Sequence, residues 1–212
     1  IMFAMVNPDL ILFSKMVIMN TLPFYIAHGA GAGHNNPFLK RLCEKISEQR
    51  KHTIIPVTFS YMQEQELSGK RRPPPRFNTL IPEYSDLIKH EQACIVGGKS
   101  MGGRVATQLT ELAMVKAAVC FGFPFYPAGK PEKNRLSFLS ELQVPCLIIQ
   151  GTRDQLGSYE WVNQQSLPNL VEIIWVEGAD HDFKTLKKHG KTINNTISEL
   201  ATSTHNWLQA NT

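Results

Sequence analysis

The chain lacks paired cysteines, long apolar runs and any strong excess of charge. Its 212 residues hold four cysteines, Cys43, Cys94, Cys120 and Cys146, widely spaced and never in a C-x-x-C pair. That spacing argues against a disulfide framework or a zinc site and fits a reducing, cytoplasmic compartment. Three of the four lie in apolar runs, where cysteine serves as a small buried hydrophobe. The apolar stretch at residues 10–19 is interrupted by Lys15 and is too short to cross a bilayer as a helix. It has no basic segment before it and no small-residue cleavage site, so neither a signal peptide nor a membrane partner is expected. Residues 1–20 are read as an extension or a first strand. The net charge is +4, with 42% apolar and 19% charged residues, the balance of a soluble globular protein. No basic stripe interleaved with aromatics occurs, which sets nucleic-acid binding aside. The surplus charge gathers at Lys70, Arg71, Arg72 and Arg76 around three prolines. This is read as a solvated loop; the alternative is that Arg72 and its neighbours meet an anionic substrate group.

What the chain does have is alternation. Apolar runs at residues 22–27, 53–59, 93–97, 117–121, 146–150 and 171–176 are short, continuous and rich in Val, Ile, Leu and Phe. Such runs suit parallel strands covered on both faces. Between them, helical spacing covers residues 36–50, 80–90, 102–114, 159–165 and 192–209, with a shorter piece at 136–142. In the first of these helices Phe38, Leu39, Leu42 and Ile46 share one face, and Pro37 is accommodated in the first turn. The pattern predicts an α/β fold with a mostly parallel central sheet and helices on both faces. Residues 21–212 are read as a single domain, and 60–78 as one long polar loop. Oligomeric state is not legible.

Residues 94–104 carry the most information. Gly98, Ser100 and Gly102 fit G-x-S-x-G between an apolar run and a helical stretch, the context of a nucleophile elbow. A serine hydroxyl is a poor nucleophile without a base, and the base needs an orienting acceptor. Asp154 follows the fifth strand run and His181 follows the sixth. In an open parallel sheet the carboxyl ends of strands share one edge, so Ser100, Asp154 and His181 are expected to converge there. Asp154 has the alternative of capping the next helix, and Asp180 and Asp182 flank His181 too closely to orient its ring. The first strand run ends in His28 and the glycine-rich residues 29–33. The backbone N–H groups of Ala30 and Met101 are assigned to an oxyanion hole, with Gly31 the near alternative to Ala30. A phosphate cradle is the other reading of that loop, but the Lys-Ser/Thr ending of a P-loop is missing. Phe59, Ser60 and Tyr61 and the segment from Phe123 to Tyr126 are read as bordering a shallow substrate pocket, with packing the equal alternative for the aromatics. No metal or organic cofactor is expected.

Together, residues 28–33, 97–104, 150–154 and 180–183 resemble the α/β-hydrolase superfamily. More narrowly, they resemble a small, nearly capless branch related to dienelactone hydrolases, with eukaryotic relatives among testis-expressed and chromatin-complex proteins. The segments 69–74 and 123–131 are similar to that branch as well. The resemblance implies an α/β-hydrolase fold with a minimal cap, Ser100 as nucleophile, Asp154 as orienting acid and His181 as base. It implies a serine hydrolase, esterase- or thioesterase-like, acting on a small acyl substrate. Dienelactone hydrolases themselves carry a cysteine where this chain has Ser100. Because the branch includes assembly subunits, a non-catalytic binding protein on the same fold is the rival reading. Lyase or transferase chemistry on the same three side chains is a third.

Overall fold

A computed structural model describes residues 22–49 and 52–212; the expectation for residues 1–20 falls outside them. Six short apolar segments form strands: β1 (Phe24–Ala27), β2 (Ile54–Val57), β3 (Cys94–Lys99), β4 (Val115–Phe121), β5 (Cys146–Gly151) and β6 (Val171–Val176). They pair in parallel in the order β2-β1-β3-β4-β5-β6. All their carboxyl ends therefore lie along one edge, the place where ligands bind in open α/β sheets.

Helices cover both faces. On one side α1 (Pro37–Glu48) and α7 (Ile193–Asn211) bury Leu39, Leu42, Ile46, Ile197, Leu200 and Leu208 against Ile95, Val119, Phe121 and Ile149. On the other side lie α2 (Ser60–Ser68), α3 (Phe77–Ile88), α4 (Met101–Thr107), α5 (Ser137–Ser140) and α6 (Tyr159–Val162). These pack on Val96, Ala118, Cys120 and Ile148. Neighbouring residues of one strand thus serve opposite cores, which is why the strand sequences are apolar without interruption. Tyr84, fully buried in α3, donates its hydroxyl to the carbonyls of Tyr25 or Gly97 and accepts from the Gly97 N–H, tying the two central strands β1 and β3 to that helix.

Two element boundaries differ from the sequence expectation. The polar stretch at residues 60–78 is not one loop: α2 occupies its first half, α3 starts at Phe77, and only residues 69–76 remain irregular. The α2 sequence buries only Tyr61 and Met62 and leaves Leu67 exposed, so it carries no recurring apolar stripe. Gly69, at φ +66°, ends it in the left-handed conformation glycine favours. The helix after the elbow is also shorter than the expected 102–114. Thr107 and Thr110 donate their hydroxyls to the carbonyls three residues back, and the chain passes into turns after Thr107. Between β4 and β5 the chain makes only a 3₁₀ turn (Pro131–Lys133) and the four-residue α5, so nothing large roofs the sheet edge there.

Candidate active site

At the end of β3 the backbone turns sharply into α4, and Ser100 sits on the corner at φ 53°, ψ −113°. Few non-glycine residues adopt a positive φ, and a strained corner is expected only where the surroundings impose it. Here they do. A Cβ on Gly98 would lie 2.6 Å from the Ala27 carbonyl oxygen, and one on Gly102 would lie 2.6 Å from the oxygens of Ala27 and His28. The glycine spacing is therefore the imprint of β1 and the start of α4 pressing on the turn.

His181 reaches this corner from the loop after β6. Its Nε2 is 2.9 Å from Ser100 Oγ, and its Nδ1 is 2.7 Å from Asp154 Oδ2. Asp154, fully buried after β5, also accepts from Gln150 Nε2 at 2.8 Å through the same oxygen and from the Leu156 N–H at 2.8 Å through Oδ1. A carboxylate can only accept, so the imidazole proton resides on Nδ1 and the Nε2 lone pair faces the hydroxyl. The two loops are stitched together: Arg153 N–H donates to Ala179 O, and Thr152 Oγ1 accepts from the Gly178 N–H. Within the His181 loop, Asp180 Oδ1 accepts from the N–H groups of both Asp182 and Lys184. Phe183, at φ 61°, anchors the loop by stacking on Phe38 with ring centres 5.5 Å apart.

The loop after β1 approaches from the other side. His28, fully buried, accepts the Phe59 N–H at Nε2, so its Nδ1 carries the proton and donates to Gly29 O at 2.7 Å. Burial pushes its pKa down to about 4. Tyr61 donates its hydroxyl to Ala30 O at 3.1 Å. The Ala30 peptide is thereby held by its carbonyl, and no other group among the described residues accepts from its N–H or from that of Met101.

Ser100 lies between two cavities. The larger, of about 760 Å³, opens toward α1 and α7 and is lined by Gly31, Phe38, Lys99, His181 and Asp182 among others. The smaller, of about 310 Å³, lies on the opposite side and is lined by Pro74, Pro75, Phe77, Met101, Arg104 and Arg135 among others. Ala30 and Ser100 border both. Lys99, nine-tenths buried, lies along the larger cavity; desolvation lowers its pKa to about 8 against the opposing pull of Asp182, Asp154 and Asp180.

The side chains expected to contact substrate stand elsewhere. Tyr61 lines neither cavity and is spent on the Ala30 carbonyl. Phe123 is fully buried against Phe125, and its carbonyl accepts from Gln150. Arg72 points into solvent and pairs with Glu64 at 2.8 Å. The basic loop contributes prolines to the smaller cavity, and the cations there are Arg104 and Arg135. Sequence reasoning passes over these two, together with Lys99, Gln150 and His28. For Lys99 and Arg104 a signal exists, because both lie within a turn of the elbow serine; for the others none does.

Residues 21–209 match a family model described as the alpha/beta hydrolase domain. Among solved structures, the chain is similar to the esterase domain of a Rhodothermus marinus protein, at 14% identity over 89% of this chain and 88% of that one, with a TM-score of 0.62. It is similar to a dienelactone hydrolase from Anabaena variabilis, at 18% identity over 90% of this chain and 87% of that one, with a TM-score of 0.61. An alpha-beta serine hydrolase homologue from Coxiella burnetii shows 18% identity over 84% of this chain and 83% of that one, with a TM-score of 0.56. At these identities the likeness is one of fold. No curated protein matches the sequence.

Proposed function

Since the chain belongs to the alpha/beta hydrolase family, we propose that it is a serine hydrolase cleaving a small carboxylic ester, thioester or related acyl compound. The observation that carries this reading is the unbroken line from Asp154 through His181 to Ser100, at 2.7 and 2.9 Å. A hydroxyl, a correctly tautomeric imidazole and a buried carboxylate in that sequence form a general-base relay.

In the proposed reaction His181 Nε2 takes the Ser100 proton as Oγ attacks the substrate carbonyl. The negative charge that develops on the carbonyl oxygen is met by the N–H groups of Ala30 and Met101, a contribution of about 3 kcal/mol per donor. The imidazolium is stabilised by Asp154, whose two oxygens the Gln150 amide and the Leu156 N–H hold in place. Collapse of the tetrahedral species returns the proton to the leaving group and leaves an acyl-Ser100 ester. Water, deprotonated by the same nitrogen, then releases the acid. With two cavities meeting at Ser100, one receives the acyl part and the other the leaving group.

Labelling with a fluorophosphonate tests the reading. The native protein is expected to label at Ser100, and Ser100→Ala to abolish both labelling and turnover of a panel of small esters and thioesters. Absence of Ser100-dependent labelling in the folded protein would favour the non-catalytic binding reading.

A further inference from the structure

The smaller cavity beside Ser100 contains two arginines and no acid. Arg104 is on α4, one turn beyond Ser100, and its N–H donates to the Ser100 carbonyl at 3.0 Å. Residues four apart share a helix face, so the Arg104 side chain leaves the helix on the same side as the nucleophile. Its guanidinium lies over the Phe77 ring, 3.7 Å from the centroid, with the Phe138 ring 5.3 Å away. Stacking uses the flat face of a guanidinium and leaves its in-plane donors for other partners. Those donors go unused: among the described residues no acceptor meets any Arg104 side-chain nitrogen, and Nε is buried without a partner.

Arg135 comes to the same cavity from the segment before α5. One of its Nη atoms donates to the Pro124 carbonyl at 2.8 Å, which fixes the group without neutralising it. Neither arginine forms an ion pair with a described carboxylate, although Arg41, Arg72, Lys45 and Lys191 all do. The two cations repel each other, and both lose hydration; each effect lowers the Arg104 pKa, to about 10, with burial the larger. Two half-buried guanidiniums without ion pairs, one stacked on aromatic rings and the other held by a proline carbonyl, thus line one cavity with donors of the kind that bind anionic oxygens.

We propose that Arg104 and Arg135 bind an anionic oxygen group, a carboxylate or a phosphate, presented by the substrate in the smaller cavity beside Ser100. The site selects small acyl compounds whose portion on that side of the scissile bond ends in such a group. Assigning the anion to a substrate rests on the serine-hydrolase reading; the anion site itself does not. Arg71, Arg72 and Arg76, the cations most conspicuous in the sequence, have no part in it.

Calorimetric titration of the purified protein with inorganic phosphate and, separately, with succinate tests the site without any turnover. One of the two is expected to bind with a stoichiometry of one, and the tighter distinguishes phosphate from carboxylate. Arg135→Gln and Arg104→Met, the second retaining an unbranched chain over Phe77, are each expected to weaken binding by about tenfold or more. Arg72→Gln is the control and leaves the affinity as it was. Thermal melting reports whether each variant folds, and Arg135→Gln decides the matter if Arg104→Met does not. The link to substrate is read by comparing p-nitrophenyl hemisuccinate with p-nitrophenyl butyrate, and the preference for whichever ester fits the anion site should vanish in Arg135→Gln. Failure of both anions to bind, or binding that survives both cavity substitutions, overturns the proposal. A native protein whose Ser100 does not label would end the hydrolase reading, yet the titrations would still decide the anion site.

Discussion

The loops after β5 and β6 and the loop after β1 meet at Ser100 from opposite sides, and they are held by different means. On the first side the side chains of the proposed relay hold one another: Asp154 is bonded to His181, and His181 faces Ser100. On the second side the group that matters is backbone, and side chains from elsewhere grip its carbonyls. His28 grips Gly29 and Tyr61 grips Ala30. One half of the site is thus built from chemistry and the other from scaffolding. The two should respond differently to substitution.

The sharpest way to separate them is Asp154→Asn. The amide would offer a donor where His181 needs an acceptor, favouring the wrong imidazole tautomer, and kcat is expected to fall about 10⁴-fold. Melting temperature should fall only modestly by comparison: the Leu156 N–H still meets an oxygen, although Gln150 Nε2, which shares Oδ2 with His181, then faces the new amide donor. A loss of only a few-fold would break the relay as drawn.

The scaffolded half should instead show itself in acid. His28 is neutral in the folded state, with a pKa of about 4, whereas an unfolded histidine titrates near 6.5. Between those values the unfolded chain takes up a proton that the folded one refuses. Stability contributed by the neutral ring is therefore complete above about pH 6.5 and declines as the pH falls toward 4, by about 3 kcal/mol over the window. Half-buried His34 is shifted in the same direction by desolvation and adds to the slope. Urea denaturation at pH 7, 5.5 and 4.5 measures this, and His28→Gln is expected to flatten the dependence. An unchanged slope would show that the buried His28 ring is not the source of the pH dependence.

The mildest test is Tyr61→Phe, which removes a single hydroxyl from the Ala30 carbonyl. Turnover of a neutral ester should fall about tenfold through a looser oxyanion donor, the equivalent of one hydrogen bond. KM should hardly change, since the phenol lines neither cavity. A rise in KM with unaltered kcat would instead return Tyr61 to the substrate pocket.

This contrast also explains what a reader of the sequence can see. The elbow is legible because Gly98 and Gly102 are forced by backbone atoms a few ångströms away, and such packing leaves a spacing behind. Asp154 and His181 are legible because each follows an apolar strand, so the topology gathers them before any distance is known. The alternation of short apolar runs with amphipathic ones displays the sheet for the same reason. Helix α2 is not legible, because two buried residues in nine set up no period. Nor is the pairing of Tyr61 with Ala30 or of His28 with Phe59, each spanning 31 residues, because a bond from a side chain to a distant backbone group imposes no pattern on the residues around it. The cationic cavity is obscured for a further reason. The eye goes to the run of charge at residues 70–76, while Arg104 stands singly among small and apolar neighbours and Arg135 is one more charge in a polar stretch that already holds Lys130, Glu132 and Lys133.

His181, the proposed base, follows β6, an edge strand, whereas Ser100 follows β3, flanked on both sides by β1 and β4. A rim strand is zipped along one side only and frays at less cost than an inner one. Thermal or chemical stress is therefore expected to part His181 from Ser100 before it dislodges the serine. On the proposed reading, silence then precedes collapse, and an intact interior is left from which the rim can zip shut again.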